Sequence, residues 1–152
     1  REECEQQDVA LAPGAVPLIE DLLERGVSIA IATAAGKTNV EYFIRKFDLL
    51  AYFARERIVY NDGTIAGKPA PDLFLEAMRR LGTEDRNTTV FEDSYAGIQA
   101  AENAHAGNII IVNSNNESYP FAYKTIRHFD EVDRETDLTP PFRRAASGEL
   151  RG

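Results

Sequence analysis

Tryptophan is absent from this 152-residue chain, and methionine and cysteine occur once each, as Met78 and Cys4. A single thiol excludes an internal disulfide and a thiolate zinc cluster, and it fits a reducing compartment with Cys4 as a bystander. With only two histidines, His105 and His128, surface or helix-end imidazoles are the default reading rather than a metal site. No apolar run approaches the ~20 residues of a membrane span, and the start Arg1-Glu2-Glu3-Cys4-Glu5 is unlike a signal peptide. A cytoplasmic setting without a membrane partner is therefore expected. Positive charge is also scarce: 17 Lys and Arg stand against 25 Asp and Glu, a net charge of -8, with no basic face to meet a phosphate backbone. Nucleic acid is not an expected partner.

What remains is 43% hydrophobic and 28% charged, the composition of one globular domain without internal repeats or a linker. Residues 1–12 read as a residual segment ended by Pro13-Gly14. Val16, Ile19, Leu22 and Leu23 keep helical spacing up to Gly26, and Val27-Ser28-Ile29-Ala30-Ile31-Ala32 is a nearly unbroken apolar run ending at Thr33. After the loop Ala34-Ala35-Gly36, a helix carries Val40, Phe43, Ile44 and Phe47, and residues 57–60 form the next strand. A third helix carries Phe74, Ala77, Met78 and Leu81; strands at 88–91 and 109–112 flank a helix with the small face Gly97, Ala100, Ala101 and Ala104. Strands alternating with helices over short connections specify an α/β fold with a doubly wound, Rossmann-like parallel sheet. The core is expected over 13–133, with Phe121, Ile126, Phe129 and Val132 tucked onto it and a polar, mobile tail over 134–152.

Three groups of residues fall where such strands feed their helices: Thr33, Lys68 ahead of a proline-stiffened helix start, and the adjacent carboxylates Glu92 and Asp93. Strand ends of this kind share one sheet edge, so residues distant in sequence converge there. A hydroxyl, an ammonium and a pair of hard oxygen ligands suit a phosphoryl group held beside Mg2+. Alone, each has a plainer reading: Thr33 as a strand-end hydroxyl, Lys68 as a solvated cation, Glu92 and Asp93 as acids favoured at a helix N-terminus, and Asp72 as a helix cap.

The strings Ile29-Ala30-Ile31-Ala32-Thr33, Gly67-Lys68-Pro69-Ala70-Pro71-Asp72 and Phe91-Glu92-Asp93-Ser94-Tyr95-Ala96-Gly97-Ile98, in this order, resemble the second, third and fourth motifs of the haloacid dehalogenase superfamily. The nearest flavour is its phosphatase and β-phosphoglucomutase branch, and the resemblance spans roughly residues 11–113. It implies Mg2+-dependent phosphoryl transfer on a small phosphorylated metabolite. Thr33 would bind the transferring phosphoryl, Lys68 would stabilise nucleophile and phosphate charge, Asp93 would ligate Mg2+ with Glu92 assisting, and Ser94 would orient the metal shell. Family members often place a polar residue just after the Thr33 position, where this chain has Ala34-Ala35-Gly36.

The same resemblance implies a nucleophilic aspartate in an Asp-x-Asp motif on a first strand, and no Asp-x-Asp occurs in this sequence. In the family that strand lies mid-sheet, between the strands placed here at 88–91 and 27–32, and a helical cap follows it. The chain thus resembles the part after the cap, and the missing amino-terminal part of the same protein is a candidate partner. Without the strand, unpaired backbone and apolar side chains face a gap at a cost of ~1–3 kcal/mol per unsatisfied group, and the chain alone is expected to be catalytically incompetent. A noncatalytic remnant that binds a partner or phosphorylated ligand is the rival. Metal-independent dehalogenation is disfavoured by the Glu92–Asp93 pair.

Overall fold

The computed structural model describes residues 14–113 and 116–138. The expectations for residues 1–12 and for 139–152 of the tail fall outside them.

Gly14 (φ 84°) and Gly26 (φ 77°) bracket helix α1 (Ala15–Glu24), both in the left-handed region that glycine enters without penalty. Its buried face is Ala15, Leu18 and Leu22; Leu23, expected inside, is exposed. Helix α2 (Lys37–Phe47) buries Val40 and Ile44, and α3 (Asp72–Leu81) buries Leu73, Phe74, Ala77 and Met78 before Gly82 (φ 71°) ends it. Asp72 is the first residue of α3 rather than its cap, which is Pro71. Helix α4 (Tyr95–Asn103) lies between β3 (Thr89–Glu92) and β4 (Asn108–Val112). No helix among the described residues is long and apolar enough to cross a membrane.

Strand β1 runs Ile31–Gly36, later than the 27–32 run suggested, so Thr33 sits inside the strand and the expected loop 34–36 belongs to it. The cause is pairing. Among the described residues, the one partner of β1 is β2 (Ile58–Asn61), alongside it in parallel through Ile31↔Ile58 and Ala32↔Val59 and, past a register shift, Gly36↔Asn61. Residues 27–30 precede that ladder. A strand absent from the sequence-based expectation, β5 (Lys124–Ile126), extends the other sheet in the order β3-β4-β5, again parallel. It is short, and only fully buried Ile126 marks it as apolar.

Strand β4 explains why a parallel sheet is apolar on both faces. Ile109 and Ile111 pack with Phe74, Met78, Val90, Ile98 and Ala101, whereas Ile110 and Val112 pack with Leu18, Leu22, Ile126, Val132 and Leu138. Helices α3 and α4 thus cover one face, and α1 with residues 129–138 covers the other. Val132 and Ile126 tuck inward as expected. Residues 134–138 depart from the mobile tail: Arg134 donates to Asp21 at 2.7 Å, Asp137 accepts from Lys124 at 2.6 Å, and Leu138 is buried.

The parallel ladders do not join. β1-β2 and β3-β4-β5 are separate sheets, and between them runs an apolar groove with a cavity of about 460 Å3 lined by residues 27–32 on one side and 88–91 on the other. Leu18 and Leu22 of α1 and Phe74 and Met78 of α3 complete its walls. Among the described residues, the one buried side-chain polar atom without a hydrogen-bond partner, Thr89 Oγ1, belongs to β3 on this groove. Among the described residues, the mid-sheet position that the resemblance assigns to a first strand is an open groove.

Candidate active site

At the carboxyl end of β3 the chain places a carboxylate where almost no water reaches it. Glu92 is 8% exposed, and its oxygens are taken by internal donors. Oε2 accepts from the Lys68 ammonium, and Oε1 accepts from the Asp93 N–H (2.9 Å), the Ser94 N–H (3.3 Å) and the Ser94 hydroxyl (3.3 Å). Ser94 is also the cap of α4, its Oγ accepting from the Gly97 N–H at 2.9 Å. Gly97 has to be glycine: a Cβ there would stand 2.1 Å from the Glu92 carboxyl carbon. The strand end, the turn and the first turn of α4 are thus tied to one carboxylate.

Lys68 reaches this carboxylate from the loop before α3. Its ammonium also donates to the Ala32 carbonyl of β1 at 3.4 Å and lies 4.9 Å from the centre of the Phe74 ring. This one side chain therefore links the carboxyl end of β3 to the start of β1, across the divide between the two sheets. A buried, hydrogen-bonded pair of this kind fixes where the positive charge sits, because either partner alone would be a desolvated ion.

The next residue has the opposite electrostatic situation. Burial, then the neighbouring Glu92 charge and its hydrogen bond, push the Asp93 carboxyl up to about 6, with Lys68 only partly offsetting them. Asp93 faces a cavity of about 280 Å3 shared with Ser94, Tyr95, Glu117, Ser118 and Tyr119. Burial and the carboxylates of Asp93, Glu117 and Glu92 also raise the Tyr119 phenol, whose hydroxyl donates to the Asp93 carbonyl at 2.7 Å. A cation beside Asp93 would relieve this carboxylate, and Mg2+ takes one or two protein carboxylates with water completing its shell. The donor set fits as part of a shell. No cluster of three or more His, Cys, Asp or Glu suited to a metal occurs among the described residues.

The structure therefore brings Lys68, Glu92 and Ser94 into direct contact, with Asp93 adjoining them. Thr33 stands one residue past the carbonyl that Lys68 touches, and its Oγ1 accepts from the Ala35 N–H at 3.1 Å, which leaves its own hydrogen free to donate elsewhere. Sequence reasoning missed Tyr119, which lies where the strand-helix pattern fades and carries no motif.

Comparison with known proteins decides the family. The sequence profile of haloacid dehalogenase-like hydrolases matches residues 1–105, which include all five of these positions. The chain belongs to this family. It is 31% identical over 106 residues to a phosphorylated carbohydrates phosphatase of Thermotoga maritima, covering 69% of this chain and 48% of that one. It is 37% identical over 97 residues to the CbbY protein of Rhodobacter capsulatus, covering 63% and 43%. Among solved structures, a family IA hydrolase of Entamoeba histolytica superposes with a TM-score of 0.76 at 34% identity, over 80% of this chain and 56% of that one. CbbY of Rhodobacter sphaeroides in complex with xylulose-1,5-bisphosphate superposes with a TM-score of 0.67 at 29% identity, over 79% and 55%. The chain thus spans about half the length of these relatives.

Proposed function

We propose that this chain provides the phosphate- and metal-holding part of a Mg2+-dependent phosphohydrolase or phosphomutase site for a small phosphorylated metabolite, and that it does not turn substrate over by itself. The observation that carries the reading is the Lys68–Glu92 pair, shielded at the carboxyl end of β3, in reach of the start of β1 and adjoining Asp93. Glu92 holds the ammonium in place, and Lys68 presents positive charge where a phosphoryl oxygen and an attacking carboxylate would otherwise repel one another. Thr33 donates to a phosphoryl oxygen, Asp93 with Glu92 in support holds Mg2+, and Ser94 keeps the turn that carries Asp93. Bound Mg2+ supplies Lewis-acid neutralisation of phosphate charge.

Incompetence of the chain alone is part of the same proposal. A nucleophile and general acid of the family type have no counterpart in an Asp-x-Asp here, and the groove between the sheets has the position of the strand that carries them in the family. The relatives named for phosphorylated carbohydrates and for the bisphosphate complex support a phosphorylated small molecule as substrate. The cytoplasmic setting is part of the same proposal and rests on cysteine scarcity. A noncatalytic phospholigand module is the second reading, favoured by the intact Lys68 site beside an open groove. The test is p-nitrophenyl phosphate turnover by the 152-residue chain with Mg2+. No turnover above buffer is expected; turnover abolished by Asp93→Asn would overturn the incompetence.

A further inference from the structure

Between β4 and β5, residues 117–123 lie along α4 as a strap fastened at both ends of that helix. Its start is bracketed by Asn113, whose side-chain amide donates to the Glu117 carbonyl at 2.8 Å while the Glu117 N–H donates back to Asn113 Oδ1 at 2.7 Å. The Phe121 ring then packs on Tyr95 (centroids 5.2 Å apart) and on Tyr123 (6.2 Å), and the Tyr123 hydroxyl donates to Glu102 in the last turn of α4 at 2.6 Å. One strap contact falls at the site itself: the Tyr119 hydroxyl on the Asp93 carbonyl.

That contact completes the fixing of one peptide segment. The Asp93 N–H is already held by Glu92, and Tyr119 holds the carbonyl on the other side of the same residue. With both backbone groups anchored, the direction of the Asp93 carboxylate is left to its side-chain rotamers alone. Freeing the carbonyl leaves the 93–94 peptide held through the Ser94 N–H on Glu92 alone, a 3.3 Å contact, so the Asp93 main chain can shift and displace its carboxylate. A hard cation with strict ligand geometry is sensitive to that displacement.

We propose that Tyr119 is a positioning residue, its hydroxyl fixing the Asp93 main chain so that the carboxylate meets a divalent cation in one orientation. The proposal rests on the reading of Asp93 as the Mg2+ ligand. It is tested by titrating the full 152-residue chain with MgCl2 and following the Asp93 and Ser94 amide resonances. In the parent chain the shifts saturate, and Tyr119→Phe, which keeps the ring and removes the hydroxyl, raises the apparent dissociation constant roughly three- to tenfold. Tyr123→Phe removes the other strap hydroxyl, the one on Glu102, and leaves the constant unchanged. Equal constants for the parent and Tyr119→Phe overturn the positioning role alone, and equal weakening in both variants reduces it to general strap stability. An absence of saturable shifts in the parent overturns the cation reading of Asp93 and this inference with it.

Discussion

The carboxyl end of β3, tied through Lys68 to the start of β1, and the groove between the sheets draw on the same two strands, yet they are finished differently. At the edge, the Glu92 carboxylate accepts from an ammonium, two N–H groups and a hydroxyl, and Lys68 bridges to the Ala32 carbonyl across the divide. A few residues earlier along β3, Thr89 buries a hydroxyl with no partner beside a cavity of about 460 Å3. Polar completeness at one end and incompleteness a few residues away mean that the site residues are pre-arranged among themselves, whereas the described parts of the two sheets leave a groove between them. Binding geometry and sheet closure are thus separable in this fold.

Breaking the finished region has the largest expected effect. Lys68→Met removes the cation and leaves Glu92 as an uncompensated buried charge, a loss of about 3–5 kcal/mol, measured as the shift in urea unfolding at pH 7. The double change Lys68→Met with Glu92→Leu recovers most of it if burial, rather than a specific geometry, sets the penalty. A smaller effect sharpens the comparison at Asp93, one residue past the finished carboxylate. The Asp93 carboxyl titrates at about 6, above the usual 3.8, so its contribution to stability is present below about pH 4 and is lost as pH rises through 6. Asp93→Asn is therefore more stable than the parent at pH 7 without divalent ions, by roughly 1–2 kcal/mol after allowing for solvent screening. The difference closes toward pH 4 and shrinks when Mg2+ is added; unfolding midpoints at the two pH values, with and without MgCl2, check it.

The sequence was legible where chemistry and periodicity coincide. The apolar run 109–112 could only be a strand covered on both faces, and the small face of Gly97, Ala100 and Ala101 required close packing; both are as read. The string around Glu92 and Asp93 pointed to a strand tip feeding a helix, and β3, Ser94 and α4 follow that order. The boundaries of β1 were not legible, because a strand is defined by its partner: residues 27–30 have the composition of a strand, but the ladder to β2 begins only at Ile31. Strand β5 escaped for the converse reason, a three-residue segment recruited by Ile126 and by pairing with β4. Arg134 and Asp137 in the polar tail are held by charges of Asp21 and Lys124, far from them in sequence, and no local pattern records such partners. Tyr119 is hidden in the same way, since its contact depends on how the strap crosses α4.

The central claim is that β1 and β3 flank an open slot below a finished site, and amide hydrogen exchange on the 152-residue chain tests it most directly. The amides of Ile109, Ile110 and Ile111, in the strand paired on both sides, are predicted to exchange slowest, and those of residues 28–30 and the groove-facing amides of β3 orders of magnitude faster. Protection of the 28–30 and β3 amides equal to that of β4 would mean that the two sheets are joined, and would contradict the account.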